Sequence, residues 1–246
     1  MPIILSVNAG SSSVKATFYK LQNPPVEIVD AQVSGITSPP QILKYDTTQN
    51  KKKEQLDEKL GTAPEAFKFL LQRCLADPEI AQLADSNDLA FICHRIVHGG
   101  DYKQAVEIND KTYHYIEQIE DLAPLYAHST SDGKSRKLTD RHNFPALEII
   151  RTCRQELPKV KNIAHFDSAF HHTLPKQVRT YVIDQEVATR NKLRKYGFHG
   201  ISYAYILRSV AKFLGKAEQD TNLIVMHIGS GASVCAIKQG ESVDTS

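Results

Sequence analysis

The sequence has no apolar run that approaches the roughly 18 residues of a membrane-spanning helix. Its first residues, MPIILSVNAGSSS, carry no basic leader and too short an apolar stretch for a secretory signal, so a cytoplasmic protein is the expectation. Charge excess is also small. The 246 residues hold 30 Lys and Arg against 28 Asp and Glu, a net charge of +2, so neither nucleic acid nor a membrane surface is expected as partner. Cys74, Cys93, Cys153 and Cys235 form no CxxC pair, which argues against a zinc site or redox dithiol and for a reducing compartment. No HExxH and no GxxxxGK[ST] occurs, so a metalloprotease helix and a P-loop are both absent. With 24% charged and 41% hydrophobic residues the composition is that of a globular chain, which excludes wholesale disorder, collagen and coiled coil.

What is present reads as alternating strands and helices. Ile3 to Val7 is apolar and rich in β-branched residues. Asn8, Ala9, Gly10 and three serines then make a polar turn, and Val14, Ala16 and Phe18 alternate with polar neighbours. A further strand is expected over residues 27–36. Residues 37–60, poor in apolar side chains and carrying Lys51-Lys52-Lys53-Glu54, read as a solvated connection. Thr62-Ala63-Pro64-Glu65 is a capping box opening a helix with Phe67, Leu70, Leu71, Cys74 and Leu75 on one face. Strands are expected over 89–97, 162–166, 223–228 and 233–238, and helices over 144–157 and 202–214. The mixture is α/β or α+β.

Two segments resemble each other, NAGSSSVKA from Asn8 and IGSGASVCA from Ile228, with Ser13-Val14 matching Ser233-Val234. An offset of this size suggests two copies of one domain rather than a solenoid. The expected division is a first domain over 1–220 and the opening of a second over 221–246. Such an opening would expose strand edges and apolar residues such as Ile224, Val225 and Ile237.

Several residues have the chemistry of an anion site. Gly and Ser turns present N–H groups and hydroxyls to an anion at little steric cost. Ser11, Ser12 and Ser13 add donors, Lys15 a positive charge, and Asn8 an amide oxygen for a hydrated magnesium. Arg95, in HRIVHGG at a strand end, has the planar fork that suits a carboxylate or phosphate. Asp167 follows a strand, a frequent site position in α/β folds, and His199 lies between glycine-flanked residues. Two Gly/Ser turns with an Arg, an Asp and a His, and no nucleophile–base pair, favour phosphoryl transfer over hydrolysis.

With these residues in place, the chain resembles the acetate kinase family. The matching stretches are VNAGSSSVK (7–15), HRIVHGG (94–100), DLAPL (121–125), FDSAFHHTLP (166–175), YGFHGIS (196–202) and HIGSGAS (227–233). The resemblance implies an α/β, ribonuclease-H-like (actin-like ATPase) domain, a mixed sheet with helices, followed by the first hairpin of a truncated second copy. It implies reversible phosphoryl transfer from ATP to acetate, giving acetyl phosphate and ADP, with Mg2+. By resemblance, Asn8 helps to position the magnesium, and Lys15 with Ser11, Ser12 and Ser13 lies near the ATP phosphates. Arg95 holds the carboxylate or acetyl phosphate, and Val97, Leu125 and Phe198 line the methyl pocket. Asp167 is the active-site acid, in a positioning or metal-water role, and His199 stabilises the transition state. His227, Ile228, Gly229, Ser230 and Gly231 form the ATP phosphate loop. A homodimer is implied for the full-length family.

The sequence departs from the family pattern at three places. Tyr126-Ala127-His128 replaces the family's His-Asn-Pro, and Ser230 replaces its Asn. The chain also ends before the family's second essential arginine, adenosine-binding loops and magnesium-binding glutamate, so an incomplete fragment with little activity alone is expected. Three alternatives stand beside this reading: a catalytically silent domain binding small carboxylates or phosphates, a propionate or butyrate kinase, and a pyrophosphate-dependent acetate kinase.

Overall fold

The computed structural model describes residues 2–77, 89–120, 143–229 and 231–246. These fall into two compact units. The first holds 2–77, 89–95, 106–120 and 143–164, and the second holds 96–105, 165–229 and 231–246.

The first unit is built on a meander. β1 (Ile3–Ala9) turns into β2 (Ser13–Lys20), which pairs antiparallel with β3 (Val26–Ser34), then β4 (Ile42–Thr47) and β5 (Lys51–Gln55). Period-two alternation buries Ile3, Leu5 and Val7 of β1 and Val14, Ala16 and Phe18 of β2 on one core. β6 (Leu89–Ile96) lies parallel to β1 on its other side, and β7 (Val106–Glu107) pairs antiparallel with β8 (Lys161–Phe166). Among the described residues, eight strands form this sheet in the order β5-β4-β3-β2-β1-β6-β8-β7. The parallel step from β1 to β6 requires a crossover, which includes α1 (Ala63–Leu75). Phe67, Leu70, Leu71 and Cys74 line its buried face, and the helix packs on β2, β3 and α3 (Phe144–Glu156). α2 (Asp110–Gln118) packs on α3.

The capping box is present in altered form. Thr62 Oγ1 accepts from the Glu65 N–H, but Glu65 Oε2 accepts from the Gly61 N–H at 2.7 Å, one residue before the cap. The solvated connection expected over 37–60 is corrected: it holds the β4–β5 hairpin. Leu43 and Tyr45 of β4 are buried, whereas Lys51, Lys52 and Lys53 lie exposed on the outermost strand. Lysines on an edge strand discourage pairing with another chain.

The second unit contains a 3-10 turn at Ala169–Thr173, α4 (Lys176–Arg179), α5 (Gln185–Arg190) and α6 (Gly200–Leu214). Its sheet runs β11-β10-β9, from β9 (Leu223–Ile228), β10 (Ala232–Lys238) and β11 (Glu241–Thr245). Tyr203 and Leu207 of α6 pack on Val225, Cys235 and Ile237. This corrects part of the expectation for the hairpin. Ile224 is exposed, but Val225 and Ile237 are buried, because alternation turns them towards α6.

The mixed α/β sheet with helices is the fold class that the sequence indicated. The two matching hairpins share topology but not register. Val14 pairs with Ala9 and Val234 with Met226, so the serine–valine match puts Val14 inside and Val234 largely outside.

Candidate functional site

In the first unit the chemistry gathers at the ends of β1 and β6. Gly10 N–H donates to the Ser13 carbonyl at 2.9 Å, which closes the turn that carries Ser11 and Ser12. The Ile36 N–H donates to the Ser12 carbonyl at 3.1 Å and ties the turn to the end of β3. Arg95 Nη1 donates to Asn8 Oδ1 at 3.3 Å, so two expected site residues, 87 positions apart in sequence, are brought together. Next to Arg95, His94 is fixed by a 2.8 Å bond from its ring to Asn162 Oδ1.

Lys15 has a partner that the sequence reading did not name. Its ammonium lies 2.9 Å from Asp30 Oδ1, and Asp30 also accepts from Thr17 Oγ1 at 2.8 Å. Burial alone would raise the Asp30 carboxyl. Hydrogen bonds from Lys15 and Thr17 and the charges of Lys15 and Lys44 outweigh it and hold the group below the usual carboxylate range. The available signal was an acid inside an apolar strand, between Val29 and Ala31.

In the second unit Asp167 follows β8 and is buried. Its N–H donates to the Ile96 carbonyl at 2.9 Å, and its own carbonyl accepts from the Gly200 N–H at 2.9 Å. A Cβ on Gly200 would collide with that carbonyl oxygen, so only glycine lets α6 start this close to Asp167. Just before it, His199 adopts φ +58°, the left-handed region that few non-glycine residues occupy. Strained backbone of this kind concentrates at functional positions.

The His199 ring is held on two sides. Its Nδ1 is 2.7 Å from Ser233 Oγ, and the ring stacks on His227 with centroids 4.1 Å apart and planes at 10°. Ser233 is bonded in turn to the hydroxyl of the buried Tyr203. His227 Nδ1 lies 3.1 Å from Ser202 Oγ. In the β9–β10 turn the Gly229 N–H donates to the Gly231 carbonyl at 3.0 Å, and a Cβ on Gly231 would lie 3.9 Å from His199 Cε1. The expected histidine and the expected phosphate loop are therefore neighbours. Ile228 points outwards and is largely exposed. Ser233 was legible only as the end of a motif, and Tyr203 was missed; its signal was its spacing four residues after His199.

Two further histidines are structural. His98 Nδ1 accepts from the Gly100 N–H at 2.9 Å, so that nitrogen carries no proton. Burial, helped by the Arg194 charge, pushes the His98 pKa down to about 4. His171 Nε2 is 3.0 Å from the Phe198 carbonyl and must donate to it, which leaves Nδ1 to accept from Ser242 Oγ at 2.8 Å. Burial lowers the His171 pKa as well. Val97 and Phe198 are half-buried, and the Phe198 ring meets His98 edge-on at 5.8 Å. Leu125, Ser230 and the Tyr126-Ala127-His128 departure lie outside the described residues.

Among the described residues no group of three His, Cys, Asp or Glu stands together. Magnesium keeps several waters and takes one or two protein oxygens plus phosphates. Asn8 Oδ1 already accepts from Arg95, and its remaining lone pair could take a magnesium-bound water.

The model of the acetokinase family matches residues 3–246. A probable acetate kinase of Emericella nidulans is 58% identical over 243 residues, covering 99% of this chain and 54% of that protein. An acetate kinase of Clostridium botulinum is 36% identical over 246 residues, covering 99% and 56%. The crystal structure of Porphyromonas gingivalis acetate kinase aligns with TM-score 0.81 at 27% identity, covering 100% of this chain and 57% of that one. A propionate kinase from Francisella tularensis aligns with TM-score 0.81 at 30% identity and the same coverage. The chain spans about half the length of the curated relatives it matches.

Proposed function

The chain belongs to the acetokinase family, and we propose that its residues serve reversible phosphoryl transfer between ATP and acetate. The observation that carries this reading is the His199 ring, fixed to Ser233 at 2.7 Å and adjoining the glycine turn after His227. A fixed imidazole beside a phosphate-type turn suits charge developing on a transferring phosphoryl group.

The chemistry needs little else from the protein. Acetic acid titrates near the glutamate value of ~4.3, so acetate is ionised at neutral pH and no base is required. The difficulty is repulsion: two unit charges ~4 Å apart cost about 4 kcal/mol at an effective dielectric of 20. Arg95 would offset it on the carboxylate and His199 on the phosphoryl oxygens. Val97, Leu125 and Phe198 would form the methyl pocket. Ser11, Ser12, Ser13 and Lys15 would meet ATP phosphates, as would the 227–231 turn. Asp167 would act by charge and position rather than as a base. Bound with ATP through water at Asn8, magnesium would neutralise phosphate charge. The family homodimer and a cytoplasmic location belong to this reading, as does residues 221–246 opening a second domain.

The match to a propionate kinase structure favours a second reading, propionate as acceptor. One methylene changes pocket affinity by only about 1–3 kcal/mol, so the pocket discriminates weakly.

The test measures acetyl phosphate formation by two proteins. One is the 246-residue chain, and the other is the same chain continued after Ser246 with the C-terminal portion of the Emericella nidulans relative. The chimera is expected to be active, with the short chain at about 1% of it or less, because a cleft must close to exclude water. His199→Ala in the chimera should lower kcat about 100-fold. A chimera inactive on acetate, propionate and butyrate, with ATP or pyrophosphate, would make this a silent binding domain. Near-normal turnover by Asp167→Asn would remove Asp167 from the chemistry.

A further inference from the structure

The second unit contains a cavity that the proposed reaction does not use. It is a partly open hollow of about 430 Å³ between the loop after Gly99, the 3-10 turn, α4, α5 and the segment leading to Tyr196. Among its described lining residues are five cations, Lys103, Lys176, Arg179, Lys192 and Arg194, against one carboxylate, Asp101. Asp101 is engaged by Arg194 at 3.4 Å and Lys192 at 3.6 Å. The lining as a whole therefore keeps a formal charge of plus four. Cations converging on a concave wall focus a positive field far stronger than the net charge of the chain suggests.

The cavity walls are tied to one another. The Lys195 N–H donates to the Arg179 carbonyl at 2.8 Å, which joins α4 to the segment before Tyr196. The Leu193 N–H donates to the Ala188 carbonyl at 2.8 Å and anchors the same segment to α5. Arg194 stacks over the Tyr196 ring at 4.0 Å and donates to the Gly100 carbonyl at 3.4 Å. The planar fork of Arg194 is thereby oriented before any ligand arrives.

We propose that this cavity is a second anion site, which binds a phosphorylated small metabolite and shares no lining residue with the glycine turns. The charge calls for two or more negative charges on the ligand. The volume falls in the range of small-molecule pockets, which take an organic body as well as a phosphate. A polynucleotide is not the fit: the cations line a hollow rather than a track, and the chain's net charge is only +2.

The test titrates the 246-residue chain with glucose 6-phosphate, inorganic phosphate and pyrophosphate at low and high salt, following amide resonances. Saturable shifts are expected over residues 100–103 and 176–196, weakened by salt. Glucose 6-phosphate should bind tighter than inorganic phosphate; equal or weaker binding would overturn an organic ligand. Lys103→Gln with Arg179→Gln should weaken binding at least tenfold, while Lys212→Gln, outside the cavity, should leave it unchanged. Should the double variant not fold, the exposed Lys103→Gln alone is expected to weaken binding several-fold. Shifts confined to residues 9–14 and 227–234, or affinity unchanged in the cavity variants, would overturn the site. Pyrophosphate shifting only those two turns would point to the proposed reaction residues and count against the cavity.

Discussion

Ser233 is a hydroxyl shared between two rings, Nδ1 of His199 and the phenol of Tyr203. Burial raises the Tyr203 pKa, so the phenol keeps its proton and can direct it at Ser233. With the phenol as donor, the serine proton goes to His199 Nδ1 and the imidazole's own proton to Nε2. Ser233 and Tyr203 are positioning residues in this arrangement. Ser233→Ala in the active chimera should lower kcat roughly ten-fold with little change in KM, since one such bond contributes about 1–1.5 kcal/mol. Ser233→Thr should recover part of the loss. The imidazole nitrogen shifts of His199, measured in the 246-residue chain, should move in Ser233→Ala; unchanged shifts and kcat would remove the role. Among single residues, Arg95 and His199 stood out in sequence through side-chain chemistry near glycines, and Asp167 through its place after a strand. Asp30 and Tyr203 were not, because each acts through a partner on another element, which no local spacing shows.

At the scale of elements, strands with strict alternation were legible and the β4–β5 hairpin was not. Residues 51–53 are lysines, and an edge strand has no buried face to give it a pattern. The β9–β10 hairpin was legible as an element, but which residues it exposes was not, since that depends on α6 covering one side. The other side carries Ile224, Met226 and Ile228 at 77%, 64% and 79% exposure, with Val234 beside them. A contiguous apolar face of this kind binds hydrophobic dyes and promotes association. Anilinonaphthalene sulfonate should therefore bind the chain at neutral pH, and Ile224→Thr with Ile228→Thr should remove more than half of the fluorescence. The melting temperature should change little, because these side chains contribute almost no buried area. Fluorescence unaffected by the double variant would place the dye site elsewhere.

For the whole molecule, the described histidines whose pKa burial lowers, His98, His165 and His171, all belong to the second unit. An unfolded histidine titrates near 6.5, whereas folded His98 binds its proton only near pH 4. Between those values the unfolded state holds more protons, so stability falls as pH falls. His98 contributes fully above about pH 6.5 and loses up to about 3 kcal/mol by pH 4. In the first unit, Asp30 is a depressed carboxylate, whose contribution is full above the unfolded value of about 3.9 and is lost as the pH falls from there through its lowered folded value. Acid should therefore loosen the second unit first. Amide exchange, corrected for its intrinsic pH dependence, should show protection over residues 165–229 dropping between pH 6.5 and 4.5 while β1, β2 and β3 stay protected. His98→Gln should flatten that decline without changing the behaviour of the first unit. Simultaneous loss in both units, or earlier loss over residues 2–77, would show that the buried histidines do not set the acid response.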